Sequence, residues 1–209
     1  MATSKAARPA VRILVLSGPN LDRLGRREPH IYGHDTLHDI HARLEALAAE
    51  RAVEVDCRQT NHEGLLVDWI GAAPDDGFSG ILLNAGAYTH TSYALHDAIK
   101  GALLPTIEVH ISNPDAREPF RHVSTIAAAC TARVAGFGPA SYTVALDGLL
   151  GLLARKAANA KAGGASRSKR ATGEPATKPS SRSPLEPRSS TAAVPRSRGA
   201  SAPSRRARG

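Results

Sequence analysis

Hydrophobic positions along the first 157 residues alternate between two spacings. Short β-rich runs at residues 11–17, 53–60, 80–84, 105–111 and 132–137 are bounded by turn-forming or polar residues, the pattern of buried strands. Between them, apolar side chains recur every three or four positions, which places them on one helical face. Leu37, Ile40, Leu44 and Leu47 predict a helix running to about residue 51. Thr36, with Asp39 at the third position after it, reads as its capping box. Asn61 is placed to cap a second helix carrying Leu66, Trp69 and Ile70, which stops before Pro74. A third helix is expected over residues 90–100. The last is expected over residues 140–157, with Val144, Leu146, Leu149, Leu150 and Leu153 on or near its buried side.

Strands alternating with helices imply a parallel sheet with crossover helices. Five such units predict an α/β, flavodoxin-like doubly wound five-stranded parallel sheet, whereas a barrel would want eight. The expected organisation is an N-terminal arm over residues 1–10, one domain over 11–157 and a tail over 158–209. From about residue 160 the chain is dominated by Ala, Ser, Arg, Pro and Gly, with Leu185 and Val194 nearly its only larger apolar residues. Such a segment buries too little surface to offset its ordering entropy, so disorder is expected there.

Charge sharpens that division. Residues 155–209 carry 14 Lys/Arg against 2 Glu, a net of +12, while residues 1–154 carry 13 Lys/Arg against 17 Asp/Glu, a net of −4. The body is therefore mildly acidic, and the basic character of the chain belongs to its tail. Cys57 and Cys130 each lie in an apolar run and read as small core side chains in a reducing compartment. The first ten residues have no apolar h-region, so no signal peptide is expected. No apolar stretch is long enough to span a bilayer, and a cytoplasmic protein is expected.

The polar residues fall at the ends of strands. Asn20 follows the first, Asn84 ends the third, and His110 with Ser112 closes the fourth. Open α/β sheets bind ligands outside the carboxyl ends of their strands. Taken singly, Asn20 could serve a turn, Asn84 a cap and His110 a satisfied core imidazole. Together they point to one cleft. Between Asn20 and Asp35 lie Arg23, Arg26, Arg27, Glu28, His30, Tyr32 and His34, with Gly25 and Gly33, which suggests a lid over the strand ends. A free tyrosine ionises near pH 10, so using Tyr32 as a base at neutrality costs about 4 kcal/mol. A guanidinium such as Arg27 would favour the phenolate. An exposed loop with a packing tyrosine is the plainer reading of the same residues. In the third cluster, Gly86 permits close backbone approach. Thr89 or Thr91 could cap the following helix, whose amides suit a carboxylate. Arg117 and Arg121 could clamp an anion or form a solvated face.

Several runs of residues then resemble one family. They are Gly18-Pro19-Asn20-Leu21, Arg27-Glu28-Pro29 with Tyr32-Gly33, and Asn61-His62-Glu63-Gly64. Further along come Ala87-Tyr88-Thr89-His90-Thr91-Ser92 and Glu108-Val109-His110-Ile111-Ser112-Asn113, then Arg117-Glu118-Pro119-Phe120-Arg121. In order and spacing, over residues 11–153, these resemble the type II 3-dehydroquinate dehydratases. The resemblance implies a cofactor-free lyase that dehydrates 3-dehydroquinate to 3-dehydroshikimate through an enolate, within the shikimate pathway of aromatic amino-acid biosynthesis. It implies Tyr32 as the base at C2, Arg27 as the residue that lowers its pKa, His110 as the acid for the C1 hydroxyl, and Asn20 as a guide for water and enolate oxygen. Asn84, His90, Ile111, Ser112 and Arg121 match substrate-binding positions. Asp97 matches a residue reaching in from a neighbouring subunit, in a dodecamer built of trimers. Glu108 and Arg117 match residues that support the site from behind. Ser17, Pro114-Asp115 and Val123 depart from the family pattern, and the basic tail lies outside it.

Other chemistries fit less well. A Schiff-base route needs a lysine in an apolar pocket, and the body offers Lys5 in the arm and Lys100 at a helix end. A metal-dependent hydrolase could draw on His34, His38 and His41, but no carboxylate completes a ligand motif, and they read as solvated surface histidines. A flavodoxin-like small-anion-binding or nucleotide module would want repeated glycines after the first strand, where Pro19 instead removes a donor. The tail is expected to bind polyanions weakly and in a salt-dependent way, and it has no aromatic residue for base stacking.

Overall fold

The runs Ile13–Leu16 and Ile81–Leu83 present apolar side chains to both faces of the sheet, and this is what draws helices to both sides of it. A computed structural model describes residues 11–26 and 34–171, with side chains up to residue 162. The strands are β1 (Arg12–Ser17), β2 (Glu54–Gln59), β3 (Gly80–Asn84), β4 (Thr106–His110) and β5 (Ala132–Ala135). They form one sheet of order β2-β1-β3-β4-β5, with every pairing parallel. This is the flavodoxin-like order, and its switch point lies between β1 and β3. Among the described residues, four α-helices connect or follow the strands: α1 (Leu37–Glu50), α2 (Glu63–Ala72), α3 (Tyr93–Ala102) and α4 (Ser141–Ala171).

Side chains alternate across a strand, so β1 and β3 each feed two cores, while β4 gives its apolar side chains to one. Ile13, Val15, Leu82, Ile107 and Val109 pack with α1 (Leu37, Ile40, Leu44) and α4 (Tyr142, Leu146, Leu149). Leu14, Leu16, Ile81 and Leu83 pack on the opposite face with α2 (Leu66, Ile70) and α3 (Leu95, Ile99). β1, β3 and β4 are almost wholly buried, whereas β2 and β5 at the edges are partly open. On α4, Leu146 and Leu149 are buried and Leu150 and Leu153 half-buried, but Val144 is 43 % exposed. The inner positions next to it belong to Tyr142 and Ala145.

Helix boundaries follow local hydrogen bonding. α1 carries the expected capping box: Asp39 N–H donates to Thr36 Oγ1 at 3.2 Å, and Thr36 N–H to Asp39 Oδ2 at 2.9 Å. The Thr36 hydrogen bonds hold the Asp39 carboxyl below its ordinary range. Thr36→Ala is expected to cost about 1 kcal/mol in urea denaturation, the usual loss for a capped helix. The caps of α2 and α3 differ from expectation. His62, not Asn61, precedes α2 and makes no side-chain cap. α3 starts later than residue 90, because Gly86–His90 forms a 3-10 turn and Ser92 Oγ accepts from Leu95 N–H at 2.9 Å. Ser92, rather than Thr89 or Thr91, therefore caps the helix. α4 continues past residue 157 to Ala171, since Ala and Lys are good helix formers and no proline lies between Ser141 and Pro175.

Among the described residues no helix is long and apolar enough to cross a membrane. Cys57 and Cys130 are free and half-buried, and burial pushes both thiols up to about 12. The thiolate, the reactive form, is thus disfavoured at neutrality. His34 and His38 are exposed, but His41 is half-buried with its Nε2 enclosed, so it is not a solvated surface histidine. Its place on the second turn of α1, which packs on β2, lowers its pKa through burial. The arm over residues 1–10, the 27–33 segment with Arg27 and Tyr32, and residues 172–209 lie outside the described residues.

Candidate active site

The carboxyl ends of β1, β3 and β4 meet at one cavity. It is lined by Asn20, Asn84, His90, His110, Ser112 and Arg121, together with Arg117, Ile111, Leu24 and Pro114. Of the described residues singled out from the sequence, Glu108 and Asp97 are absent from this lining. Glu108 sits behind His110, and Asp97 lies on the exposed side of α3.

Two glycines let the loops close on each other. A Cβ at Gly18 would stand 2.6 Å from the Ala85 carbonyl oxygen, so no larger residue fits without moving backbone. Gly18 N–H donates to Asn84 O at 2.8 Å, which ties the β1 turn to the end of β3. Gly86 has φ +58°, and a Cβ there would crowd Pro19 O at 3.1 Å. Asn20 itself is left-handed at φ 65°, a conformation that asparagine tolerates better than most residues. Its N–H donates to Asn61 Oδ1 at 2.8 Å, and Gln59 Nε2 donates to the same oxygen at 3.1 Å. Asn61 therefore holds the Asn20 turn rather than capping α2.

Glu108 and His110 are two residues apart on β4, so they share the face toward α2 and α3. His110 Nε2 donates to Glu108 Oε1 at 2.6 Å, and Glu108 is fully buried. Ser124 Oγ donates to Glu108 Oε2 at 2.9 Å. Arg133, in register with Glu108 on β5, brings Nε to 3.4 Å from Oε1. A buried carboxylate held by two hydrogen-bond donors, with a guanidinium beside it, is a strong acceptor for the imidazole. With Nε2 committed to Glu108, Nδ1 is the His110 nitrogen left to exchange a proton with a ligand.

The donors around the mouth are fixed as well. His90 Nδ1 donates to Val123 O at 2.7 Å, which makes Nε2 the acceptor of the neutral ring. Arg121 Nε donates to Glu118 Oε2 at 2.8 Å, and Arg117 Nε lies 3.3 Å from the same oxygen. The hydrogen bond from Arg121 brings the exposed Glu118 carboxyl down to about 2. Arg117 also donates from Nη1 to Ser112 Oγ at 3.4 Å. Arg117 and Arg121 thus turn toward one carboxylate and line the cavity together, rather than forming a solvated face.

Sequence reading did not single out Ser124, Arg133 or Tyr142, or give Glu118 a part. An arginine inside the apolar run Ala132-Arg133-Val134-Ala135 was a signal, because a charge on a strand needs a partner. Ser124 and Tyr142 had no such mark. The departures at Pro114 and Val123 fall on loop positions: buried Pro114 opens a 3-10 turn, and Val123, 68 % exposed, presents its carbonyl to His90.

Residues 11–150 match the family model described as Dehydroquinase class II. The chain is 51 % identical over 141 residues to the 3-dehydroquinate dehydratase of Deinococcus radiodurans, covering 68 % of this chain and 99 % of that protein. It is 55 % identical over 142 residues to that of Rhizobium johnstonii, with 68 % and 97 % covered. Among solved structures, the type II dehydroquinase of Propionibacterium acnes superposes with a TM-score of 0.65 at 43 % identity, over 71 % of this chain and 99 % of that one. That of Butyrivibrio crossotus gives a TM-score of 0.65 at 42 % identity, over 66 % and 97 %. In sequence and in fold, the chain belongs to the class II dehydroquinase family.

Proposed function

We propose that this chain dehydrates 3-dehydroquinate to 3-dehydroshikimate, the reaction for which its relatives are named. The observation that carries the reading is the buried Glu108–His110 pair opening onto the cavity that Asn20, Asn84, His90 and Arg121 line. The substrate is a β-hydroxy ketone, so elimination begins with loss of the proton at C2. Tyr32, as phenolate favoured by Arg27, takes that proton, and the C–H electron pair moves into the enolate. Asn20 donates to the enolate oxygen or to the water beside it. Collapse of the enolate forms the C1–C2 double bond and releases the C1 hydroxyl, which accepts a proton from His110 Nδ1 and leaves as water. Glu108 holds the imidazolium during that step and offsets its charge. Asn84, His90, Ile111, Ser112 and Arg121 supply the polar contacts that place the ring, with Glu108 and Arg117 behind them. Every step uses side chains of the protein, and the reading calls for no cofactor.

Asp97 is exposed in the single chain. Its part in the reading is to complete a neighbouring subunit's site, within a dodecamer of trimers in the cytoplasm. The basic tail binds polyanions as a separate, weak activity. The test is absorbance at the dehydroshikimate enone band after 3-dehydroquinate is added, with EDTA and after borohydride treatment. Product in both conditions, and at least about a hundredfold less from Tyr32→Phe, is the expected result. A folded wild type that forms no enone would sink the reading.

A further inference from the structure

Ser17 and Tyr142 meet Asn84 in a buried polar group behind the cavity, and the chemistry above gives a task to Asn84 alone. Ser17 and Asn84 end neighbouring strands in register, side by side on the face that α4 covers. Tyr142, in the first turn of α4 and fully buried, brings its hydroxyl to 3.1 Å from Asn84 Nδ2 and 3.2 Å from Ser17 Oγ. The direction of the Asn84–Tyr142 bond follows from one backbone group. Gly86 N–H lies 3.2 Å from the other terminal atom of the Asn84 amide. A peptide N–H can only donate, so that atom is the oxygen, and the nitrogen must face Tyr142. Asn84 Nδ2 then donates to the tyrosine oxygen, while Tyr142 and Ser17 share a second hydrogen bond in which either hydroxyl can donate. Burial pushes the Tyr142 hydroxyl up to about 12, so the proton stays in place through the neutral range.

We propose that Tyr142 is a positioning residue: its hydroxyl, oriented by Ser17, locks the Asn84 amide so that the second Nδ2 hydrogen is offered to a substrate oxygen in the cavity. The site at Asn84 is thereby specific for an acceptor, such as a carbonyl, carboxylate or hydroxyl oxygen. The inference rests on the cavity binding 3-dehydroquinate as proposed above.

The experiment is a double-variant cycle on the full chain, with steady-state kinetics of wild type, Tyr142→Phe, Asn84→Ala and the pair. Phenylalanine keeps the ring and deletes one hydroxyl. KM is expected to rise roughly tenfold, the loss of about one hydrogen bond, with kcat within about twofold. In the Asn84→Ala background the same deletion should leave KM nearly unchanged, because nothing remains to be oriented. An equal KM effect in both backgrounds, or a fall in kcat at constant KM, would overturn the proposal. If Tyr142→Phe does not fold, Ser17→Ala takes its place in the cycle, with a smaller rise expected and the same criterion. If wild type shows no turnover, the fault lies with the proposed reaction, and crystal structures of wild type and variant decide the orienting role. A displaced Asn84 amide in the variant supports it, and an unmoved one overturns it.

Discussion

Replacing His110 by Ala is expected to lower kcat by about 10²–10⁴-fold while KM changes little, as for loss of a positioned general acid. The imidazole is held by its sequence neighbour two positions back, with Nε2 donating to Glu108 Oε1 at 2.6 Å. Nδ1 is then the nitrogen from which a departing hydroxyl can be protonated. Alanine removes that proton source but leaves Asn84, His90 and Arg121, the groups proposed to hold the ring. Binding should therefore survive, which ligand titration followed by calorimetry can check. A His110→Ala enzyme within tenfold of wild-type kcat would mean that the leaving hydroxyl takes its proton from elsewhere.

Glu108→Ala is expected to fail in two ways at once. Removing one member of a buried charge pair typically costs about 3–5 kcal/mol. Here the missing carboxylate would strand Ser124 Oγ, His110 Nε2 and the Arg133 guanidinium. The Arg133 side chain is 29 % exposed and can turn to water, so the loss should fall at the lower end of that range. Activity should drop further than folding does, because His110 would lose both its orientation and its counter-charge. Glu108→Gln separates the two effects, since the amide keeps the shape and an oxygen for one partner. Urea denaturation should then show a smaller loss than for Glu108→Ala, with kcat still well below wild type. Unchanged kcat in a stably folded Glu108→Gln protein would remove Glu108 from the mechanism.

The parts of the fold read most accurately were those set by local rules. The β3 strand was expected at residues 80–84 and is found at Gly80–Asn84, because Gly80 and Asn84 bracket a short run that is apolar throughout. The capping box at Thr36 and Asp39 is complete, since both partners lie within one turn of chain. The errors came where neighbouring polar residues offered competing caps. Asn61, Thr89, Thr91 and Ser92 can all accept from a backbone amide, and the winner depended on distant contacts. Asn61 is drawn to the Asn20 turn. The Thr89 carbonyl receives Thr125 N–H and Oγ1, and the Thr89 side chain is buried, so Ser92 is left to cap α3. Val144 has the spacing of the apolar face, but the larger Tyr142 and the small Ala145 fill the space against the sheet.

The alternation of strand and helix, the unequal charge of body and tail, and the set of polar residues at the strand ends are all legible in the chain's residue order. These properties reside in the order of side chains and need only local periodicity to be read. Tertiary structure alone decided which of those residues act as a unit. Parallel register sets Glu108 beside Arg133 and Ser17 beside Asn84. The packing of α4 sets Tyr142 over the second pair, 125 residues along the chain from Ser17. Hydrogen bonds operate over about 3 Å whatever the separation in sequence, so no local pattern could have revealed them.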